Sequence, residues 1–393
     1  MKVMIADYRW QGHRLLHILK LREILIQKSV TTYLQLPKNA YASKEWSINS
    51  IAAKNSNLDE DVFNRSTTKR VPLNIEKWVN DVIGDAIELG VSLILFPWAD
   101  KLIEYIRNRS EYDDNVPHIH LLLGRCPPDY FRYNNDESTY QLIKDVSETN
   151  RVCVGRLCAT LDKHVGNQID GLNITGNNKW VVDPVYLPIK PNQRQARRKL
   201  KLPMNKKYIL LIGDLSNRKN VITVVKEWEE IYKATNISLI LAGLIDSSAD
   251  MLAEEVERVK AVYPDSIITD FKYISNYEFI NYIAASDGVI CTNREPQYIS
   301  SGVLGLSTVL GKACFINNNY YLEKLVNESK FGLSGDIESK DTPNQMRDLI
   351  KIHPQSIEVR DVDYCKFFDQ WVGNCLTDRV THLITNGAYN ETN

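Results

Sequence analysis

Two rhythms of apolar residues alternate along the chain. Short runs at Lys2–Ala6, Thr31–Leu36, Val91–Phe96 and Ile119–Leu123 have the length and composition of buried strands. Between them, apolar residues recur at helical spacing over Leu15–Gln27, Ile75–Leu89 and Asp100–Asn108, with Trp78, Val79, Val82, Ile83 and Ala86 on one side of the longest. Tyr130–Ser147 is polar and aromatic and reads as loop plus helix. A second series follows: strands at Tyr208–Ile212, Ser238–Leu241, Ile267–Phe271 and Gly288–Cys291, and helices at Val221–Tyr232, Ala249–Val262, Asn276–Ala285 and Leu322–Glu328. Phe331-Gly332 reads as a turn. Strand and helix in strict alternation predict an α/β chain with parallel sheets, whose ligands lie beyond the carboxyl ends of the strands.

Between Trp180 and Lys207 the pattern breaks. Pro184, Pro188, Pro191 and Pro203 punctuate it, and Arg194, Arg197, Arg198, Lys199 and Lys201 make it basic. This stretch marks a boundary, giving domains at 1–187 and 207–360, a linker at 188–206 and a tail at 361–393. The basic residues of 194–207 suit either a solvated linker helix or peripheral contact with an anionic membrane surface. An aromatic cluster at Tyr364, Phe367, Phe368 and Trp371 suits packing.

Length and composition agree with two soluble domains. The chain has 393 residues and a net charge of −1, which gives no electrostatic case for nucleic acid. No apolar run approaches the ~20 residues of a spanning helix. The opening Met1–Trp10 enters a strand-like run and lacks the pattern of a signal peptide. Seven cysteines without clustered spacing suit free thiols in a reducing, cytoplasmic compartment. The N-x-S/T sequons at Asn64, Asn108, Asn173, Asn236, Asn327 and Asn390 then read as accidents of an Asn-rich chain. No CxxC or HExxH supplies a metal site, and the Asp-x-Asp triplet Asp361-Val362-Asp363 falls outside the strand-end loops.

Two constellations carry candidate chemistry. Ser300, Ser301 and Gly302 open a helix that runs to Gly311, just after the strand at Gly288–Cys291. A helix start of this kind presents backbone N–H groups and the positive end of a dipole, which suits a phosphate; a capped buried helix without a ligand remains the alternative. Arg218-Lys219 follow the strand that ends at Gly213 and belong to the same carboxyl edge. Arginine grips two oxygens of a diphosphate and lysine adds a point charge. No GxxxxGK[ST] loop marks an ATPase, and Gly12–Arg14 lacks the GxGxxG spacing of a dinucleotide site.

These residues resemble the donor-binding domain of GT-B glycosyltransferases, especially the retaining family 4 type. The strand, glycine and Arg-Lys loop lie in Leu210–Asn220, the helix leading into "aaD" in Ile274–Val289, and the S-G-v-L motif in Ser300–Ala313. The likeness covers roughly 180–335 well and the first half only in pattern. It implies two Rossmann-like domains facing across a cleft, the first for the acceptor and the second for a nucleotide-diphosphate sugar. The tail helix near Tyr364–Trp371 would pack back near their junction. Gly213, Arg218, Lys219, Ser300, Ser301, Gly302 and Val303 would bind the donor diphosphate, with Arg218 and Lys219 stabilising the leaving group. Transfer would proceed with retention, without a cofactor or metal ion, to a glycan, lipid or other hydroxyl.

The chain also departs from the family. Two Glu eight positions apart are usual; counting from Glu295 reaches Val303, so the pair is absent and Glu295 is a candidate only for the donor sugar. The family's His before a Gly is Leu123 before Gly124 here, leaving His118, His120 or the first-loop residues Gly12 and His13 as candidates for the acceptor side. A degenerate GT-B binding or scaffold subunit is the alternative, and an epimerase on this architecture lacks a matching carboxylate set.

Overall fold

A computed structural model describes residues 2–10, 13–27, 29–43, 46, 74–107, 115–123, 152–158, 178–182, 187, 190–297 and 301–356. Gly12, Ser300, the segment 130–147 and the aromatic cluster 364–371 lie outside the described residues. The chain divides into two compact units. The first carries every strand up to Val182, and the second includes 187–359.

The first sheet has six parallel strands: β1 (Lys2–Ala6), β2 (Thr31–Gln35), β3 (Leu93–Phe96), β4 (His118–Leu123), β5 (Val152–Cys158) and β6 (Asn178–Val182), in the order β2-β1-β3-β4-β5-β6. Every residue of β3 is buried, which is why it reads as a continuous apolar run. The helix Ile75–Glu88 starts where Asn74 accepts a hydrogen bond from the Lys77 N–H at 2.9 Å. Its expected apolar side, Trp78 to Ala86, packs into the core with Phe96 and Ile94.

The second sheet also has six parallel strands: β7 (Lys207–Ile212), β8 (Ile237–Ala242), β9 (Ile267–Asp270), β10 (Gly288–Gln297), β11 (Cys314–Asn319) and β12 (Gly332–Ser334), in the order β12-β11-β10-β7-β8-β9. Trp228, fully buried, anchors the helix Val221–Thr235 over it and donates its indole N–H to the Ile237 carbonyl at 3.1 Å. The helix Asn276–Ala285 begins with a capping box of Ser275 and Glu278.

Three readings change. Phe331-Gly332 leads into the edge strand β12 rather than closing a turn. The polar residues Arg294–Gln297 continue β10, because Asn318 donates to the Asn293 and Arg294 carbonyls at 3.1 and 3.3 Å and pairing with β11 resumes at Gln297. The basic stretch is also more than a solvated run. It forms the helix Gln193–Lys199, and Arg197 is buried, pairing with Asp287 at 2.7 Å and lying over the Tyr208 ring. Arg194, Arg198 and Lys201 stay exposed.

Each sheet reverses its strand order once. In the first the reversal lies between β1 and β3, in the second between β7 and β10. Such switch points open a crevice at the carboxyl edge, where α/β sheets take ligands.

Candidate functional site

At the second switch point, β7 ends at Ile212 and the chain turns sharply. Gly213 has φ of 101°, a conformation closed to most side chains, and a Cβ there would lie 2.9 Å from the Lys219 ammonium. Gly243, after β8, packs against it: a Cβ would meet the Gly213 carbonyl oxygen at 1.7 Å. The turn Asn217–Lys219 follows, and Asn220 in the left-handed region starts the helix Val221–Thr235.

Arg218 and Lys219 then part company. Arg218 is exposed, and its Nη1 reaches the Asn293 side-chain oxygen at 3.5 Å. Lys219 is half-buried, with its ammonium against Gly213 and donating to the Ile212 carbonyl at 2.8 Å. Burial therefore lowers its pKa to about 8, despite the opposing pull of Cys291 and Asp214. An ammonium has three donors and Ile212 uses one, so the group can still serve an incoming anion.

From the other side of the switch point, Ser301 caps the helix Gly302–Val309 by accepting from the Leu304 N–H. Helix geometry leaves the N–H groups of Gly302 and Val303 without intrahelical acceptors. Cys291, on β10, joins the two halves. Its thiol is acted on by the neighbouring Cys314 and Ser301 side chains and by the Lys219 charge. The Cys314 hydrogen bond, then the Lys219 charge and Ser301, hold its pKa below the usual thiol value. Cys314 moves the other way, pushed up by burial. Lys219 and Ser301 thus neighbour one thiol, Gly213 lies against Lys219, and Arg218 is exposed on the same turn. Glu295 is exposed on β10, near none of these groups through any described contact.

The histidines of the first unit are placed differently. His118 begins β4 at its amino end, and His120 is buried in mid-strand. Neither reaches the carboxyl edge, because that end of β4 is Leu121–Leu123. His13 opens the helix His13–Gln27 beside that edge. What does occupy the first switch point is Asp7, just after β1. Its carboxylate accepts from the Arg9 N–H at 2.9 Å and pairs with Arg14 at 3.1 Å, and Arg14 lies over the Trp98 ring. Burial raises the Asp7 pKa to about 6, against the lowering effects of Arg14 and the Arg9 N–H.

Sequence reasoning missed Asp7, Cys291, Thr292 and Asn293. Cys291 closes the apolar run Gly288–Cys291 and Thr292 directly follows it, on the edge already singled out, so both had a visible signal.

No family model matches the chain, and no curated protein does. Solved structures do. Sucrose-phosphate synthase from Thermosynechococcus elongatus is 12% identical, with a TM-score of 0.63 over 98% of this chain and 100% of that one. HepE from Anabaena in complex with UDP-glucose is 12% identical, with a TM-score of 0.59 over 95% and 100%. A glycosyltransferase from Rickettsia africae ESF-5 is 12% identical, with a TM-score of 0.55 over 93% and 93%. The two parallel-sheet α/β units are those of the GT-B fold.

Proposed function

We propose that this chain is a glycosyltransferase that moves a sugar from a nucleotide-diphosphate donor to a hydroxyl acceptor. One observation carries the reading. The enclosed ammonium of Lys219, the exposed guanidinium of Arg218 and a Ser301-capped helix start share the switch point of the second sheet. Cations and N–H groups at such a point suit a diphosphate. The likeness to HepE, crystallised with UDP-glucose, supports a sugar nucleotide as the ligand.

The chemistry follows from charge. Cleaving the bond between the anomeric carbon and the phosphate oxygen leaves an electron pair on the departing diphosphate. Arg218, Lys219 and the N–H groups of Gly302 and Val303 stabilise that charge more in the transition state than in the bound donor. Ser300 and Gly213 complete the phosphate cradle, and Glu295 contacts the sugar. The acceptor, a glycan or lipid-linked hydroxyl, is taken by the first unit, near Gly12 and His13. Transfer proceeds with retention, and the two cations rather than a metal ion neutralise the diphosphate. Among the described residues no helix is long and apolar enough to cross a membrane. The exposed Arg194, Arg198 and Lys201 would attach the protein peripherally to a cytoplasmic face. The free thiols of Cys291 and Cys314 suit that compartment.

A second reading is a nucleotide-binding subunit without turnover. The placement of His118 and His120 away from the carboxyl edge favours it. Thermal-shift measurement with UDP, GDP, ADP, TDP and CMP, followed by donor hydrolysis, separates the readings. A ligand stabilises in proportion to RT ln(1 + [L]/Kd), so weak nucleotides register at millimolar concentration. Binding with hydrolysis supports the transferase, binding alone the subunit, and neither removes both.

A further inference from the structure

The turn that carries Arg218 and Lys219 is short and needs an outside hold. It is a single 3-10 turn, tied internally by the Lys219 and Asn220 N–H groups donating to the Ser216 and Asn217 carbonyls at 3.0 and 2.9 Å, and held at its start by the Asn217 N–H donating to the Ser248 hydroxyl at 3.1 Å, which leaves the Lys219 end to be held. The following helix gives it little support. Left-handed Asn220 redirects the chain, and the Val224 N–H bonds to the Asn220 carbonyl, one residue past Lys219. The Lys219 carbonyl is engaged instead by Thr292 of β10, whose hydroxyl donates to it at 2.6 Å. Thr292 is 3% exposed, so a lost partner there is not replaced cheaply by water.

The next residue on the strand meets the previous residue on the turn. Asn293 accepts from Arg218 at 3.5 Å, the outer limit of a hydrogen bond. Beyond Thr292 the β10–β11 register shifts before Gln297, so regular pairing does not fix Asn293. Asn318 does, through its side-chain bond to the Asn293 carbonyl, from a left-handed backbone at φ of 53°.

We infer that Thr292, with Asn293 steadied by Asn318, is a positioning residue that sets the Arg218-Lys219 turn for a nucleoside diphosphate. This rests on the proposed donor site. Thr292 touches no substrate; it fixes the backbone from which Lys219 extends. Its hydroxyl, rather than its bulk, is the working part.

The experiment compares Thr292→Val, which keeps the shape and removes the donor, with Thr292→Ser, which keeps the donor. Circular dichroism and thermal melting report the fold. Hydrolysis of UDP-glucose and GDP-glucose gives kcat and KM. Valine lowers kcat roughly five- to tenfold, the scale of one net buried hydrogen bond, with a smaller change in KM; serine restores it. A second readout needs no nucleotide. The rate at which an acylating reagent labels Lys219, followed by mass spectrometry, rises several-fold in the valine variant as its enclosure loosens. If the wild type hydrolyses neither donor, labelling alone decides the positioning role. Wild-type kcat or, in that case, a wild-type labelling rate in folded Thr292→Val overturns the inference. So does a serine variant as impaired as valine. Should the valine variant not fold, Asn318→Gly keeps the left-handed backbone and removes the tie, and the same changes are expected at smaller size.

Discussion

The two sheets share strand count, parallel pairing and a single switch point, yet their carboxyl edges hold opposite charges. The first edge buries a carboxylate, Asp7, and neutralises it within the unit through Arg14. The second encloses an ammonium, Lys219, whose nearest hydrogen-bond partner is a neutral backbone carbonyl. Burial disfavours the charged form at both, raising Asp7 to about 6 and lowering Lys219 to about 8. What differs is the direct partner. Asp7 is ion-paired with Arg14 at 3.1 Å, whereas Lys219 bonds to a neutral carbonyl, with Arg218 next to it on the turn, Asp214 acting on it only through its charge, and a helix start on the same edge. An enclosed cation with no carboxylate bonded to it is the feature that marks the second edge as the anion site.

The largest effect is expected at Lys219. Lys219→Ala should lower kcat by about 10²–10³, the usual cost of one preorganised donor to developing negative charge. Arg218→Ala should act similarly, and Arg218→Lys should recover only part of the rate because the two-pronged grip is lost. Steady-state kinetics with circular dichroism as the fold control measure this. Both changes should leave the fold intact, since the turn is at the surface. Loss of the fold in Lys219→Ala would make it structural, like Asp7, and erase the contrast.

A structural counterpart comes next. Gly243→Ala drives a Cβ into the Gly213 carbonyl and strains φ of 150°. It should destabilise the second unit by roughly 2–4 kcal/mol in urea denaturation. The first edge has its own test in Asp7→Asn. Folded Asp7 binds its proton more tightly than the unfolded carboxyl of pKa 3.8, so its contribution is fully present below that value and lost as pH rises to about 6. The variant should flatten this part of the stability profile. An unchanged slope would remove burial as the cause.

The smallest effect sharpens the comparison by sign. Lys219 has a folded pKa of about 8 and an unfolded one of 10.5, so the unfolded state binds the extra proton between them. Without nucleotide, stability should therefore rise across that window, and Lys219→Met should abolish the rise. Nucleoside diphosphate affinity should do the reverse, falling above about pH 8 as the ammonium deprotonates. Ionisation of Cys291 beside it would add to that fall. Calorimetry from pH 7 to 9.5 reads it directly.

Much of this contrast was legible in the sequence. Fully buried parallel strands announce themselves as unbroken apolar runs, so β3, β8 and the start of β10 needed no structure. Gly213, Arg218, Lys219 and the Ser301 cap are local signals in chain order. The edge of β10 was not legible past Thr292, because Asn318, whose role depends on a left-handed backbone, completes it from another strand. Asp7 was overlooked for a related reason. A lone Asp after a strand resembles any loop residue until burial and Arg14 are brought to it by folding. His118 and His120 illustrate the converse: the sequence set them ahead of and within the run Ile119–Leu123, and the structure extends that strand to His118 at its amino end.

Titration calorimetry of UDP, GDP, ADP and TDP against the wild type and an Arg218→Ala, Lys219→Ala double variant tests the central claim most directly. The account predicts that the wild type binds at least one of them and that the folded double variant loses about 100-fold or more in affinity. A wild type that binds none of them, or a double variant that binds as well as the wild type, would contradict it.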